Sequence, residues 1–377
     1  MKITKLMLSA LVAAAALVSC NKEDHDPVDT KVKSISISLG NAIMTKGVST
    51  GEVEEGTAVN VKNFKIFLID NHGNTYGAKI INNDNTVSDA STFIDLSSGV
   101  LPKTYNFHYV DPAVTKVAII ANAGDVDWSK VENGYGLTIE NQQNPDELVL
   151  YGIDTELVSD GPKTHANGDV TVLYEAEVTL YPTVSRFEVD GFRIAFGQTP
   201  KFNEVKVTQI AFQNYYPESD AVSGLASGTL VNHINNLSNE SLVFDWFNTV
   251  ATPTPWFRDK FNLSLNSTTP VGKVGTNGLS YHFFAGDEVP VMMIDMLVDN
   301  RPAYVYSKSI NVIDGSTTTP LTSLEAGKVY RMSAAGATDP NGYIEIPEDV
   351  ITPANHCIDI TVDVVDWVVT LVQPEFK

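Results

Sequence analysis

The stretch CIDITVDVVDWVVTLVQPEFK (residues 357–377) decides how the rest of the chain is read. Ile358, Ile360, Val362 and Val364 recur at every second position, with Asp359, Thr361 and Asp363 between them. Successive side chains of a strand point to opposite faces, so this is a strand with one face in a core. After Val364 the phase slips by one residue, and Val365, Trp367, Val369 and Leu371 carry the apolar face onward. One extra residue swaps the faces, so the pattern predicts two strand segments joined by a bend or bulge. Chain termini are ordinarily polar and loosely held. An apolar strand in this place either closes its own domain or belongs in that of another molecule.

The same period of two runs through the chain. KSISISL (33–39) puts Ile35, Ile37 and Leu39 on one face and Ser34, Ser36 and Ser38 on the other. VKNFKIFLID (61–70) is a strand followed by the turn signal NHGN, and TKVAIIANAG (115–124) is a buried strand stopped by Gly124. VTVLYEAEVTLYP (170–182) alternates up to Pro182, and similar segments continue through SRFEVDGFRIAF, FNEVKVTQIAFQNYYP, YHFFAGDEVPVMMIDMLVD, AYVYSKSINV and KVYRMSA. The connections are rich in Asn, Ser, Thr, Gly and Pro, and no stretch carries a long 3.6-residue period. An all-β fold of sandwiches is expected. At 377 residues the chain is long for one core, so two domains are expected, with the boundary near YPTVSR (181–186).

The composition is that of a globular protein, 43% hydrophobic and 19% charged, with a formal net charge of −21. Such acidity argues against nucleic acid or an anionic membrane surface as a partner, because phosphates are bound by clusters of Lys and Arg. The first residues read as a leader. Lys2 and Lys5 precede the apolar run LMLSALVAAAALV, which ends in LVSC with small Ser19 before Cys20. This looks like a bacterial lipoprotein lipobox, with residues 1–19 as signal peptide and Cys20 as the acylated N-terminus. The polar NKEDHDP that follows is similar to the export tether of surface lipoproteins. Only Cys357 remains besides Cys20, which excludes an internal disulfide in the mature chain and a cysteine-rich zinc site.

Catalytic and cofactor motifs are missing from the sequence. The seven histidines (His25, His72, His108, His165, His233, His282 and His356) are scattered, and none forms a close metal pair. There is no nucleophile elbow, phosphate loop or dinucleotide fingerprint. The expectation is a protein that is not an enzyme and holds neither metal nor cofactor. One cluster could bind a ligand: DWFNTVATPTPWFRDKF (245–261) gathers Trp246, Phe247, Trp256, Phe257 and Phe261. Exposed, Trp246 and Trp256 would form a stacking platform for sugar rings; buried, the cluster is core.

The segment after the first strand, IMTKGVSTGEVEEGTAVNV (43–61), is polar, with Lys46 followed by Gly47. An accessible basic residue in such a segment suits a trypsin-like protease. The lipobox cysteine, the alternating first strand before a basic residue, AIIANAG (118–124), VSRFEVDGF (184–192), YHFFAGDEVPVMMIDMLV and ITVDVVDWVV follow one another along most of the chain. In this order they resemble the fimbrillin, or type V pilin, family of Bacteroidetes.

The resemblance implies two tandem transthyretin-like β-sandwich domains after the signal peptide: a lipidated propeptide over 20–46 that carries the first strand, an N-terminal domain over 47–184 and a C-terminal domain over 185–377. It implies a surface-exposed outer-membrane lipoprotein that enters a fimbrium, or pilus, after processing and supports adhesion. The protease would cut between Lys46 and Gly47, removing the edge strand of Ile35, Ile37 and Leu39. The C-terminal strand of a neighbouring copy or related pilin subunit would fill the groove, donating from Ile358, Ile360, Val362, Val364, Trp367, Val369 and Leu371. The family commonly has Arg at the cut, where this chain has Lys46; an uncleaved member would be an anchor or accessory subunit. Host or bacterial surface glycans or proteins are the adhesion partners it implies. The alternative is a glycan-binding surface lipoprotein that uses Trp246 and Trp256, and a hydrolase has only unpaired acidic residues behind it.

Overall fold

The computed structural model describes residues 33–40, 61–96, 104–144, 147–249, 257–275, 278–314, 317–333, 343–351 and 357–366. Strands dominate throughout, as the period of two requires, and the fold is an all-β sandwich. Two sheets are built from strands that precede residue 183. The first runs in the order Val158–Thr164, Val170–Thr179, Lys33–Gly40, Thr104–Val110, Lys79–Ile81, Val87–Asp89. The second runs Tyr181–Pro182, Leu150–Asp154, Lys116–Ala121, Asn63–Ile69, Thr75–Tyr76. Their inner faces meet in an apolar core in which Phe64 packs edge-on against Tyr105, with ring centroids 5.2 Å apart. At one corner the backbones come so close that a Cβ on Gly152 would lie 2.1 Å from the carbonyl oxygen of Thr179, so this position has room only for glycine.

Strands after residue 183 make a nine-stranded sheet. Its main path is Arg258–Leu265, Val205–Gln213, Val291–Val298, Arg301–Asp314, Cys357–Asp366, Lys328–Ser333, Val184–Val189, Leu279–Phe284. Beside it Gly191–Ala195 lies between Val271–Lys273 and Tyr343–Pro347. A small sheet draws on both parts, with Gly136–Thr138 paired to Glu218–Asp220. One cluster of buried apolar side chains extends from Ile35 to Ile351, across the expected boundary at 184/185.

Several local expectations meet a physical correction. The strand of AIIANAG ends at Ala121, before Gly124, because Asn122 turns to φ 59°. Its side-chain oxygen accepts from the Lys62 amide at 2.8 Å, and its amide nitrogen donates to Leu148 O at 2.8 Å. Such local hydrogen bonds make Asn a natural strand breaker. The expected bulge at Val364/Val365 is not there. Residues Thr361–Asp366 pair in unbroken antiparallel register with Ser333–Lys328, and the irregularity falls on the other neighbour, between Ser307 and Ser309. That irregularity lies opposite Ile358 and Asp359, away from the Val364/Val365 position. A helix, Glu240–Thr249, occupies sequence that had no recognisable helical period, and it covers a second small core formed by Val243, Phe247, Ala211, Ile234, Met293 and Tyr304.

The junction motif VSRFEVDGF has a clear cause. Every residue of Val184–Val189 is buried, including Arg186 and Glu188. Two residues apart on a strand, these share a face. Arg186 Nε lies 2.9 Å from Glu188 Oε1, and Arg331 Nη2 donates to Glu188 Oε2 at 2.9 Å. His282 on the adjoining strand contacts Gln142 O through Nδ1 at 2.6 Å, and Gln143 exchanges two hydrogen bonds with its backbone. The charges are tolerated because they face one another.

Candidate functional site, the slot of the first strand

The first strand was expected at the edge of its sandwich, and it is not there. It lies inside its sheet, parallel to Val170–Thr179 with Ile37 opposite Ala176, and antiparallel to Thr104–Val110 with Ile37 opposite Tyr105. Ile35 and Ile37 have no exposed surface. Leu39 belongs to the same strand, and its side chain lies outside the described part. A strand inside a sheet is held by two ladders where an edge strand has one. Its removal would expose two rows of backbone donors and acceptors as well as an apolar trough.

The opposite face of the strand carries a polar socket closed to water. Ser34 is fully buried, and Thr171, His165 and His108 are each at least nine-tenths buried. Ser34 Oγ is 2.6 Å from Thr171 Oγ1, 3.0 Å from His108 Nδ1 and 3.2 Å from His165 Nε2, and His165 Nε2 is 2.8 Å from Thr171 Oγ1. The two imidazoles meet edge to face with centroids 4.5 Å apart. Burial, with the neighbouring His165 and Lys163, pushes His108 down to about 4. Burial and Lys163 lower His165 as well, opposed by Asp169. Both are therefore neutral near pH 7. At the strand's start Lys33 Nζ donates to Val114 O at 2.7 Å and sits 4.7 Å from the centre of the Tyr174 ring. Reading the sequence missed this socket because its members are 74 to 137 residues from Ser34 and follow no motif spacing.

The other singled-out residues are placed as follows. Cys20, Lys46, Gly47, Trp256, Trp367, Val369 and Leu371 lie outside the described residues. Ile358, Ile360, Val362 and Val364 belong to the strand Cys357–Asp366, inside the chain's own nine-stranded sheet, parallel to Arg301–Asp314 and antiparallel to Lys328–Ser333. Trp246 is half-buried on the helix. Its ring stacks on His233 at 5.2 Å, meets Phe247 at 5.1 Å and lies 5.2 Å from the Arg258 guanidinium. The ring is thus engaged by its own chain, while Phe247 and Phe257 are core.

No family model and no curated protein matches the sequence. Solved structures do match the fold. A protein of Parabacteroides distasonis described as a putative cell adhesion protein superposes with a TM-score of 0.53 at 11% identity, over 92% of this chain and 99% of that one. A second, from Bacteroides eggerthii and described in the same words, superposes with a TM-score of 0.50 at 11% identity, over 90% and 97%. A fimbrilin of Porphyromonas gingivalis covers 91% of this chain and 99% of its own, at 10% identity and a TM-score of 0.49. Over nearly its whole length, the chain has the fold of these two adhesion-protein structures from Bacteroidetes.

Proposed function

We propose that the protein is a structural subunit of a cell-surface fimbria that supports adhesion. It is exported as a lipoprotein acylated at Cys20, cut between Lys46 and Gly47, and polymerised when the C-terminal segment of another subunit takes the place of the first strand. The observation that carries this reading is the position of that strand, an N-terminal segment paired on both sides inside a sheet with Ser34, Ile35 and Ile37 buried. A chain needs no N-terminal strand in mid-sheet to be a stable monomer. One that loses it has a slot that only a strand can fill, by main-chain pairing on both sides. The likeness to cell adhesion proteins and the sequence resemblance to fimbrillins support the same reading.

The geometry constrains the donor. Donation from Ile358 to Val364 requires breaking both ladders of the strand Cys357–Asp366. Donation of Trp367, Val369 and Leu371 requires neither of those ladders to break, so these residues form the donor and 357–366 its fixed base. Their spacing matches that of Ile35, Ile37 and Leu39. Nothing in the placement of Trp246 favours the glycan-platform reading.

The test is N-terminal sequencing of protein sheared from cells, beside electron microscopy of the Lys46→Ala variant. A start at Gly47 and loss of fibres in the variant are expected. A start at acylated Cys20 in fibres of ordinary length would overturn the proposal.

A further inference from the structure

The four socket groups form one continuous relay when both imidazoles are neutral, and the ring tautomers set its direction. In one direction His165 Nε2–H donates to Thr171 Oγ1, Thr171 to Ser34 Oγ and Ser34 to His108 Nδ1; in the other His108 Nδ1–H donates to Ser34, Ser34 to Thr171 and Thr171 to His165 Nε2. The residue at the position of Ser34 must both accept and donate within a space closed to solvent. An aliphatic side chain there leaves the Thr171 hydroxyl and the His108 nitrogen without their partner, and a buried unmade hydrogen bond is costly.

We propose that Ser34, His108, His165 and Thr171 form a register lock on the first strand: a socket that accepts the Ser34 hydroxyl and releases the strand when the imidazoles take up protons. The apolar face of the first strand does not fix register alone, because Ile35, Ile37 and Leu39 look alike after a shift of two residues. The socket marks one position. The lock concerns the chain's own first strand and stands apart from the exchange reading.

The acid response follows from the surroundings. Lys163, on the strand beside Val170–Thr179, acts against protonation of both rings, and Asp169 favours it only at His165. Asp169 is itself bonded to Asn167 and the Tyr109 hydroxyl. Lys79, opposite His108 in the sheet, is paired with Asp89. Lys33 points to Val114 O, and Glu175 lies opposite Ser36. A second proton would place two cations 4.5 Å apart beside Lys163. With the strand out, the rings regain water and titrate nearer 6.5. The inserted state then binds fewer protons between about pH 6.5 and 4, so insertion weakens as pH falls through that window.

The test is hydrogen exchange on the unprocessed chain as monomer, comparing amides of 33–40 with those of Lys116–Ala121 as internal reference. Ser34→Val/Ser36→Val removes the hydroxyl in either register although valine favours strands. It is expected to speed exchange of the first strand about tenfold or more, with the reference unchanged; Ser36→Val and Ser34→Thr are expected to match the parent. Between pH 7 and 5, protection of 33–40 in the parent, corrected for intrinsic rates, is expected to fall about tenfold, and the fall is expected to vanish in His108→Gln/His165→Gln. Parent-like protection in the double valine variant would overturn the proposal. Should that variant unfold, a parent without the acid response, or a histidine variant that keeps it, would overturn it. No assembly takes part, so failure of fibre formation and failure of the lock are read separately.

Discussion

The hydroxyls of Ser34 and Thr171 lie 2.6 Å apart, in a space closed to water, although 137 residues separate them along the chain. A short N-terminal segment is thereby tied to its neighbouring strands by side chains as well as by two backbone ladders. The protein reads as a sandwich whose first strand is a separate part fitted into a shaped place.

Trimming the apolar face of that part should loosen it. Ile37 is fully buried, and Ile37→Ala is expected to cost about 2–5 kcal/mol, the range for large-to-small changes in cores. Urea unfolding followed by tryptophan fluorescence measures the loss. A change below about 0.5 kcal/mol would mean that the slot collapses around the smaller side chain.

Truncation separates the two parts of the C-terminal segment. A chain stopped after Asp366 keeps the whole described strand Cys357–Asp366 and should remain a folded monomer that makes no fibres. A chain stopped before Cys357 loses a strand with neighbours on both sides and should not fold stably. Circular dichroism and electron microscopy distinguish the outcomes. Fibres from the first truncation would remove Trp367, Val369 and Leu371 from the donor.

Acid should weaken the fold through His282 independently of the socket. Burial, then the nearby Arg186 charge, push it down to about 3, against the hydrogen bond to Gln142. The unfolded chain takes up a proton near pH 6.5 that the folded chain refuses, so stability is lost as pH falls from 6.5 toward 3, at up to about 1.4 kcal/mol per unit. Denaturant titrations at pH 7, 5 and 4 should show a flatter profile in His282→Gln, which keeps a donor for Gln142 O. Identical profiles would place the proton uptake elsewhere.

Glu188 is wholly buried against Arg186 and Arg331. Glu188→Gln removes the carboxylate charge that faces both guanidiniums and is expected to cost about 3–5 kcal/mol. The thermal midpoint checks this. An unchanged midpoint would show that other groups carry the charge balance at the junction.

Trp246→Ala should lower stability by about 1–3 kcal/mol through lost packing on His233, Phe247 and Arg258, without changing retention on polysaccharide gels. Lost retention at unchanged stability would restore the glycan platform.

The sequence by itself determined what rests on local periodicity. Alternation in KSISISL, VTVLYEAEVTLYP and CIDITVDVVD marks strands because side-chain direction reverses at each residue, and it identifies Ile35 and Ile37 as inward-facing. Only the tertiary structure decided the order of strands in the sheets, which put the first strand inside its sheet instead of at the edge and the strand of Ile358 to Val364 between two partners in its own sheet. Pairing partners are chosen by contacts between segments far apart in the chain, and period two is blind to which neighbour lies alongside. The same holds for the socket: Ser34 looks like any solvent-facing serine of an alternating strand until His108, His165 and Thr171 close over it.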